Sequence, residues 1–268
     1  MIGTREQSPG KGNIRVISVL LLGRDDRLTK TIKFRLQQDS LRGDVGDPVK
    51  QAMVYEAQLA DEILFLDIHA TQEGLGIARL KEWALRLSNV LSVPLTVGGG
   101  IGSVEDIRTL LRSGADRVVL GSAATRNITL VREASEAFGS QCITAAVDYK
   151  WDGRHYRVYS ERGFKDTGLD PFGYARYLEH MGAGEILLTS ISREGGMNGY
   201  DLDVLRKVSR EMSIPVVAHG GAGKAEDLVR AVEAGASAVA ASSLYCFTDM
   251  SPIKVKAYME RQEISVRR

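Results

Sequence analysis

Short apolar runs alternate with amphipathic segments along almost the whole chain. The runs are rich in Val, Ile and Leu, as in ILFLDI at 63–68 and RVVLGSA at 117–123, which is typical of strands buried on both faces of a parallel sheet. The segment SVEDIRTLLRSGA at 103–115 has helical periodicity, with Ser103 as an N-cap and Gly114 just past its end. The pattern predicts strands at 15–22, 63–69, 94–98, 117–121, 142–148, 185–190, 214–219 and 238–242.

One stretch of this pattern occurs twice. Residues 93–123, VPLTVGGGIGSVEDIRTLLRSGADRVVLGSA, are similar to residues 214–244, IPVVAHGGAGKAEDLVRAVEAGASAVAASSL. The period of about 120 residues is too long for a solenoid repeat and indicates a duplicated half-domain. Strands and helices that alternate in two equal halves predict a (β/α)8 barrel, with an open doubly wound sheet as the alternative.

Composition narrows the class of protein. The 268 residues carry 35 Lys+Arg and 34 Asp+Glu, so no basic field points to nucleic acid or to a membrane surface. The polar start, MIGTREQSPGKGN, has no apolar segment of a signal peptide, and two cysteines cannot build a disulfide framework; a cytoplasmic protein is expected. We expect residues 1–13 to be a flexible tail and residues 14–268 to form a single barrel domain.

The chemistry of a (β/α)8 barrel lies at the C-terminal ends of its strands. In this chain two glycine-rich turns follow such ends, each partnered by a small-residue turn after the next strand. Glycine lets the backbone approach a ligand, and free N–H groups there bind anions. The turns therefore predict two phosphate sites and a phosphorylated small-molecule ligand, although tight turns alone could also explain the glycines. The first set is Gly99, Gly100, Gly121 and Ser122, and the second is Gly195, Gly220, Gly221, Ser242 and Ser243.

Two carboxylates also stand at strand ends. An acid at the end of a barrel strand is costly to desolvate, which suggests a function for it. Asp148 is on this ground a candidate general acid–base, and the same cost of desolvation draws attention to Asp67. The alternative is a structural ion pair. His69 and His219 lie near the same mouth, but no HExxH motif or Cys/His cluster accompanies them, so neither a metal nor a cofactor is expected.

The opposite end of the barrel carries charges of both signs. A charged residue stands at the start of four predicted strands or directly before it, and in space these residues would form a salt-bridged ring that plugs the barrel. The four residues are Arg15, Glu62, Arg117 and Glu185.

Several stretches together resemble one family. FLDIHA, TVGGGI, GADRVVLGSAA, GAGEILLTSISREG and HGGAGKAEDL are similar to the cyclase subunit of imidazole glycerol phosphate synthase, a (β/α)8 barrel. The resemblance implies that a glutaminase subunit, a glutamine amidotransferase, docks at the barrel bottom, with Asp116 as a docking residue. It also implies that ammonia crosses the charged ring and passes through the barrel to a bisphosphate substrate held by the glycine turns.

The chain departs from this family at the reacting centre. The resemblance implies one catalytic aspartate at the end of the first strand and one at the end of the fifth; Asp148 matches the second, but Leu21 stands at the first. Glu194 stands where the family has a shorter acid, and His219 where it has a small residue. Loss of one of two acid–base groups costs orders of magnitude in rate.

The first strand, with LLLG followed by LTKTIKF, resembles instead a paralogue group associated with surface polysaccharides. That resemblance implies a barrel that delivers ammonia from a glutaminase to a sugar-modifying amidotransferase, for amidation of a nucleotide-sugar. Two alternatives stay open. One is an authentic cyclase subunit that uses Asp148 with a relocated acid such as Asp25, and the other is a non-catalytic binding scaffold.

Overall fold

The computed structural model describes residues 13–36 and 44–267. Eight strands of this part close a parallel barrel in the order β1-β5-β6-β7-β8-β11-β12-β13, and β13 pairs with β1. The predicted (β/α)8 fold is confirmed. The strands are β1 Arg15–Leu22, β2 Leu28–Thr29, β3 Thr31–Ile32, β4 Arg35–Leu36, β5 Glu62–Asp67, β6 Leu95–Gly98, β7 Arg117–Leu120, β8 Ile143–Trp151, β9 Tyr156–Ser160, β10 Lys165–Asp166, β11 Glu185–Ser190, β12 Val216–His219 and β13 Ala238–Ala241.

Helices fill the connections between the barrel strands. Where they begin, local caps explain why: Ser103 accepts a hydrogen bond from the Asp106 N–H at 3.1 Å, and Asp47 and Asp170 cap helices whose first residue is proline. The helices are α1 Pro48–Ala57, α2 Ala70–Glu73, α3 Ala78–Ser88, α4 Val104–Arg112, α5 Ser122–Arg126, α6 Thr129–Phe138, α7 Pro171–His180, α8 Leu202–Glu211, α9 Ala225–Glu233, α10 Ser243–Phe247 and α11 Pro252–Arg261.

The duplicated halves begin the same helix in the same way. The Asp106 carboxylate accepts the N–H groups of Gly102 and Ser103 at 2.8 and 3.0 Å before α4. The Asp227 carboxylate accepts the N–H groups of residues 223 and 224 at 2.9 and 3.1 Å before α9. The expected tail lies outside the described residues, except for Asn13. Across the described ranges, no helix is long and apolar enough to cross a membrane.

Two hairpins on the C-terminal side of the barrel were missed by the sequence pattern. In one, β3 pairs with β4; in the other, β8 runs past its expected end and folds back on β9, which pairs with β10. The β3–β4 turn is built by Lys33 and Phe34 at φ of 52° and 62°, where Asn-Gly is the usual signal. The β9–β10 turn similarly uses Glu161, Arg162 and Gly163 at positive φ. Of these turn residues, only the glycine is typical of turns by type.

The barrel interior is apolar between two polar ends. Alternate residues of each strand point inward, and the inward set forms a core cluster separate from the one between sheet and helices. Ion-paired side chains lie beyond this cluster at the N-terminal ends of the strands, and other titratable side chains lie beyond it at the C-terminal ends. Its buried members are Ile17, Val19, Leu21, Leu64, Val119, Ala146, Leu187, Val217, Ala238 and Ala240.

Candidate functional site

A pocket of about 140 Å³ opens at the C-terminal ends of the strands. Leu21, Leu66, Val119 and Ala146 form an apolar part of its wall. Part of the polar lining comes from three neighbouring strands and the loop after β11, which supply Asp148, Thr189, His219 and Glu194. Concave, largely apolar sites with a few convergent polar groups are typical of small-molecule binding.

The strand β1 contributes no carboxylate to this pocket. Leu21 lines it and is 6 % exposed. Asp25 and Asp26 follow β1 and are exposed, and Asp26 accepts a hydrogen bond from the Trp83 indole N–H at 2.9 Å. Neither aspartate lines the pocket, so neither is placed to replace a carboxylate at position 21.

Asp148 ends the inward-facing row of β8 and is the carboxylate deep in the pocket. Burial raises its pKa to about 7, against a hydrogen bond with Thr189 that lowers it, and the nearby charge of Glu194 raises it further. A raised pKa is what we expect where an apolar Leu21 replaces a second carboxylate and leaves the site less solvated. A carboxyl group with this pKa can give or take a proton near neutral pH.

His219 faces the same pocket from β12. Its Nδ1 lies 3.2 Å from the hydroxyl of Thr189, and burial, together with the charge of Lys30, lowers the pKa of the imidazole to about 4. The ring is therefore neutral near pH 7. The sequence placed His219 near the mouth, and the structure confirms that position.

Asp67 has a structural partner, as the alternative interpretation held. Both carboxylate oxygens accept hydrogen bonds from Arg79, at 2.8 and 2.9 Å, and Oδ1 also accepts the N–H groups of His69 and Ala70. His69 is buried behind the pocket wall, and neither ring nitrogen makes a hydrogen bond in the described residues. Its Nδ1 lies 3.4 Å from the Glu73 carboxylate.

Glu194 holds the β3–β4 hairpin over the pocket. One carboxylate oxygen accepts the Thr31 hydroxyl at 2.8 Å and the other accepts the Phe34 N–H at 2.9 Å. The carbonyl of Glu194 accepts the Lys33 N–H at 2.9 Å. From the other hairpin, Arg162 donates to the Phe34 carbonyl at 3.3 Å. The two hairpins and Glu194 together form a lid.

The first glycine set lines the main pocket. Gly99, Gly100, Gly121 and Ser122 all face it. At Gly99, with φ of 116°, a β-carbon would overlap the carbonyl of Asp67, so this close approach requires glycine. The Ser122 hydroxyl accepts the N–H of Glu161 at 2.9 Å, which ties this turn to the lid.

The second glycine set forms an adjoining smaller cavity. Gly195, Gly220, Gly221, Ser242 and Ser243 line it, and Glu194 and His219 line both cavities. Beneath it, the fully buried ammonium of Lys30 donates to the Ser242 hydroxyl, which donates to the Val19 carbonyl at 2.7 Å. Burial lowers the pKa of Lys30. The two glycine sets therefore flank one mouth, as the sequence predicted; phosphate binding there stays a prediction.

At the other end of the barrel, the four charged residues predicted as a ring do meet. Arg15 pairs with Glu62 at 2.7 Å and also with Glu185. Arg117 pairs with Glu62 at 3.0 Å and lies 3.8 Å from Glu185. Burial lowers the pKa of Arg15, but Glu185 and Glu62 outweigh this effect and raise it.

The remaining candidates lie away from the pocket. Asp116 is exposed beside the ring, and its carboxylate accepts the Leu95 N–H at 2.8 Å. Cys142 packs against the core. Within residues 13–36 and 44–267, no three His, Cys, Asp or Glu side chains are grouped so that they could hold a metal ion.

Three residues of the site escaped the sequence reasoning. Lys30 lies in an apolar run of the first loop, Thr189 is an ordinary strand residue, and Arg162 sits in an unrecognised turn. For Lys30 a signal existed, because a lysine inside the run LTKTI is unusual for a buried strand. Thr189 gave no signal, since its role depends on the register between strands.

Comparison with known proteins supports the resemblance found in the sequence. The family model described as "Histidine biosynthesis protein" matches residues 24–250. The imidazole glycerol phosphate synthase subunit HisF of Pyrobaculum aerophilum is 46 % identical over 224 residues, 84 % of this chain and 88 % of the relative. The HisF subunits of Geobacillus kaustophilus and Geobacillus thermodenitrificans are 42 % and 41 % identical over 247 residues, covering 91 % of this chain and 95 % of each relative. The chain therefore belongs to the histidine biosynthesis protein family.

Proposed function

We propose that this chain is an ammonia-conducting subunit that docks a glutaminase at the barrel bottom and receives ammonia at the pocket on top. The observation that carries the proposal is the ring of Arg15, Glu62, Arg117 and Glu185 below an apolar interior. Neutral ammonia can enter an apolar passage, whereas the ammonium ion is disfavoured there by desolvation. Asp116, exposed beside the ring, is the proposed docking residue.

The acceptor of the ammonia is proposed to be a nucleotide-sugar of surface-polysaccharide synthesis, modified with the help of a sugar-modifying amidotransferase. Leu21 supports this assignment, because it leaves the pocket with an apolar side chain where the resembled cyclases have a catalytic aspartate. Of the carboxylates that line the pocket, Asp67 is held by Arg79 and Glu194 by the β3–β4 hairpin. A cyclisation that needs two acid–base carboxylates would therefore have to rely on Asp148.

Docking and ammonia transfer can be tested with the cognate glutaminase. We expect a complex in gel filtration and faster glutamine hydrolysis in the mixture. Arg15→Ala should change the fraction of ammonia that reaches the top of the barrel, while Arg108→Ala, at an exposed helix pair, should not. Absence of a complex, or equal coupling in both variants, would instead indicate a binding scaffold without ammonia traffic.

The second candidate is an authentic cyclase subunit, and the identity to HisF subunits over most of the chain favours it. Cyclase turnover should be measured with ammonium supplied directly, in wild type, Leu21→Asp and Leu21→Asp/Asp148→Asn. Robust wild-type turnover would identify the chain as an authentic cyclase subunit of histidine biosynthesis. We expect none in wild type and at most a trace in Leu21→Asp, because positioning and acid–base action must act together.

The pocket ligand is proposed to carry phosphate at both ends, held by the two glycine sets. Crystals soaked in phosphate should show one anion at Gly99, Gly100, Gly121 and Ser122. A second anion is expected at Gly195, Gly220, Gly221, Ser242 and Ser243. If both turns stay empty, the glycines serve only the tight turns and the proposal of a bisphosphorylated ligand fails.

A further inference from the structure

Three polar side chains stand side by side at one level of the barrel. In the parallel pairing of β8 with β11, Thr189 is opposite Asp148, and in the pairing of β11 with β12 it is opposite His219. Because all three point into the barrel at the same height, Thr189 lies between an acid and an imidazole. All three line the main pocket.

Thr189 can join the other two groups into a chain. Its hydroxyl lies 3.2 Å from His219 Nδ1, it stands opposite Asp148 in the pairing of β11 with β8, and its side chain lowers the pKa of the Asp148 carboxyl. A hydroxyl has one proton to donate. When it donates to ionised Asp148, Nδ1 must carry the proton that it donates to the hydroxyl. When Asp148 is protonated and donates to the hydroxyl, the hydroxyl donates to Nδ1 and the proton sits on Nε2.

We propose that Asp148, Thr189 and His219 form a proton relay in which His219 exchanges the proton with a pocket ligand. Among the described residues, the hydrogen bond of His219 uses Nδ1, which leaves Nε2 as the ring atom for a ligand. The relay supplies a second acid–base group from β12, two strands away from the apolar Leu21 of β1.

The relay moves one proton and leaves no charge on the imidazole. A ligand N–H gives its proton to Nε2, Nδ1–H passes its own to the Thr189 oxygen, and the hydroxyl proton moves to the Asp148 carboxylate. The products are the deprotonated ligand, neutral His219 with the proton on Nε2, intact Thr189 and protonated Asp148. A neutral path suits this site, because burial and Lys30 disfavour the imidazolium.

The relay deepens the proposed function, on which the nature of its ligand rests. Its ligand class is protonated nitrogen: the C–NH3+ group formed when neutral ammonia adds to carbon. This group must lose one proton. Other titratable groups near the relay are Glu194 and Tyr174 on the side of Asp148, and Lys30 on the side of His219. None of these is an intermediate of the relay.

The position of the imidazole proton tests the relay on the free chain, without partner or substrate. Long-range ¹H–¹⁵N spectra of histidine-labelled protein distinguish Nδ1–H from Nε2–H. We expect His219 to be the Nδ1–H form above about pH 8 and to change to the Nε2–H form below about pH 6, as Asp148 takes up its proton. One form throughout this range would overturn the proposal. Failure to bind a glutaminase would leave the result unaffected.

Variants separate the relay from a general effect of pH. Asp148→Asn places an amide donor beside Thr189 and should hold the Nε2–H form at every pH tested. Thr189→Val removes the hydroxyl at nearly equal volume and should abolish the change of form, whereas Thr189→Ser should retain it. The same change in Thr189→Val would contradict the relay. If Thr189→Val fails to fold, the Asp148→Asn spectra alone decide: a pH-dependent change of form there overturns the proposal.

Discussion

Charged groups are arranged in opposite ways at the two ends of the barrel. At the bottom, each carboxylate of the ring lies within 4 Å of an arginine. At the top, the charged neighbour that most affects Asp148 is Glu194, and the one that most affects His219 is Lys30, so each meets a like charge. Opposite neighbours favour charged forms, and burial with like neighbours favours neutral ones.

The difference separates two tasks. The ring holds its charges in mutual ion pairs at the entrance, although burial raises the pKa of Glu185 against the effect of Arg15. The pocket keeps Asp148 close to the point where a proton can be gained or lost and keeps His219 neutral, in an apolar setting. This contrast is consistent with the proposed function, in which the barrel admits ammonia at one end and uses it at the other. The predictions below test this contrast.

The largest effect is expected when the ring loses a carboxylate. Glu62 accepts Arg15, Arg117 and the Thr96 hydroxyl, so Glu62→Ala leaves two arginines to share Glu185 at a partly buried site. We expect a loss of about 3–5 kcal/mol in unfolding free energy, measured in urea. The control Glu105→Ala, at an exposed side chain, should cost less than about 0.5 kcal/mol. A loss below about 1 kcal/mol for Glu62→Ala would show that the ring is not mutually stabilising.

Next in size is the cost of ionising Asp148. Its pKa is about 7 in the folded chain and about 3.9 when unfolded, so the unfolded state releases its proton first and folding stability falls as pH rises from about 4 to 7. Asp148→Asn should therefore be more stable than wild type at about pH 8, by up to about 4 kcal/mol, and equal to it below about pH 4. Urea unfolding across this range measures the difference. The exposed Asp203→Asn is the control, and no gain at pH 8 would contradict the burial of the charge.

His219 should act in the opposite direction. Its pKa is about 4 in the folded chain and about 6.5 when unfolded, so the unfolded state binds a proton first and stability falls as pH drops from about 6.5 to 4. His219→Gln should gain up to about 3 kcal/mol relative to wild type at pH 4, and this gain should vanish above about pH 7. In wild type the two groups offset each other between about pH 4 and 6.5. A variant whose difference from wild type does not change with pH would contradict this.

The fold could be predicted from sequence because its signals are local. Strand bounds at 15–22 and 185–190 agree with the structure, and the other barrel strands differ by a few residues at their ends. The hairpins could not be predicted, because Lys33, Phe34, Glu161 and Arg162 adopt positive φ without being turn residues by type. Surrounding contacts, not local preference, fix those turns.

The part of the site that depends on where strands begin and end could be predicted from the sequence. Asp148, the glycine turns and the ring follow from where strands end and begin along one chain. The pairing of Asp148 with Thr189 and of Thr189 with His219 depends on the relative register of three strands, which a single sequence does not contain. Lys30 and Glu194 act through contacts between distant loops, and the sequence pattern is silent on such contacts.

The smallest effect concerns the lid, which lies between the proton-exchanging pocket and solvent. Glu194→Gln removes one acceptor oxygen, so either the Thr31 hydroxyl or the Phe34 N–H loses its partner. A hydrogen bond to a charged group contributes about 1.5–3 kcal/mol. Amide exchange of Phe34 should therefore become about 10 to 100 times faster, while global unfolding changes little.

The control Glu73→Gln alters another carboxylate near the rim, bonded to Arg24, and should leave Phe34 exchange unchanged. Equal exchange in both variants would mean that the lid is held by the rest of its contacts, and that the pocket is shielded without Glu194.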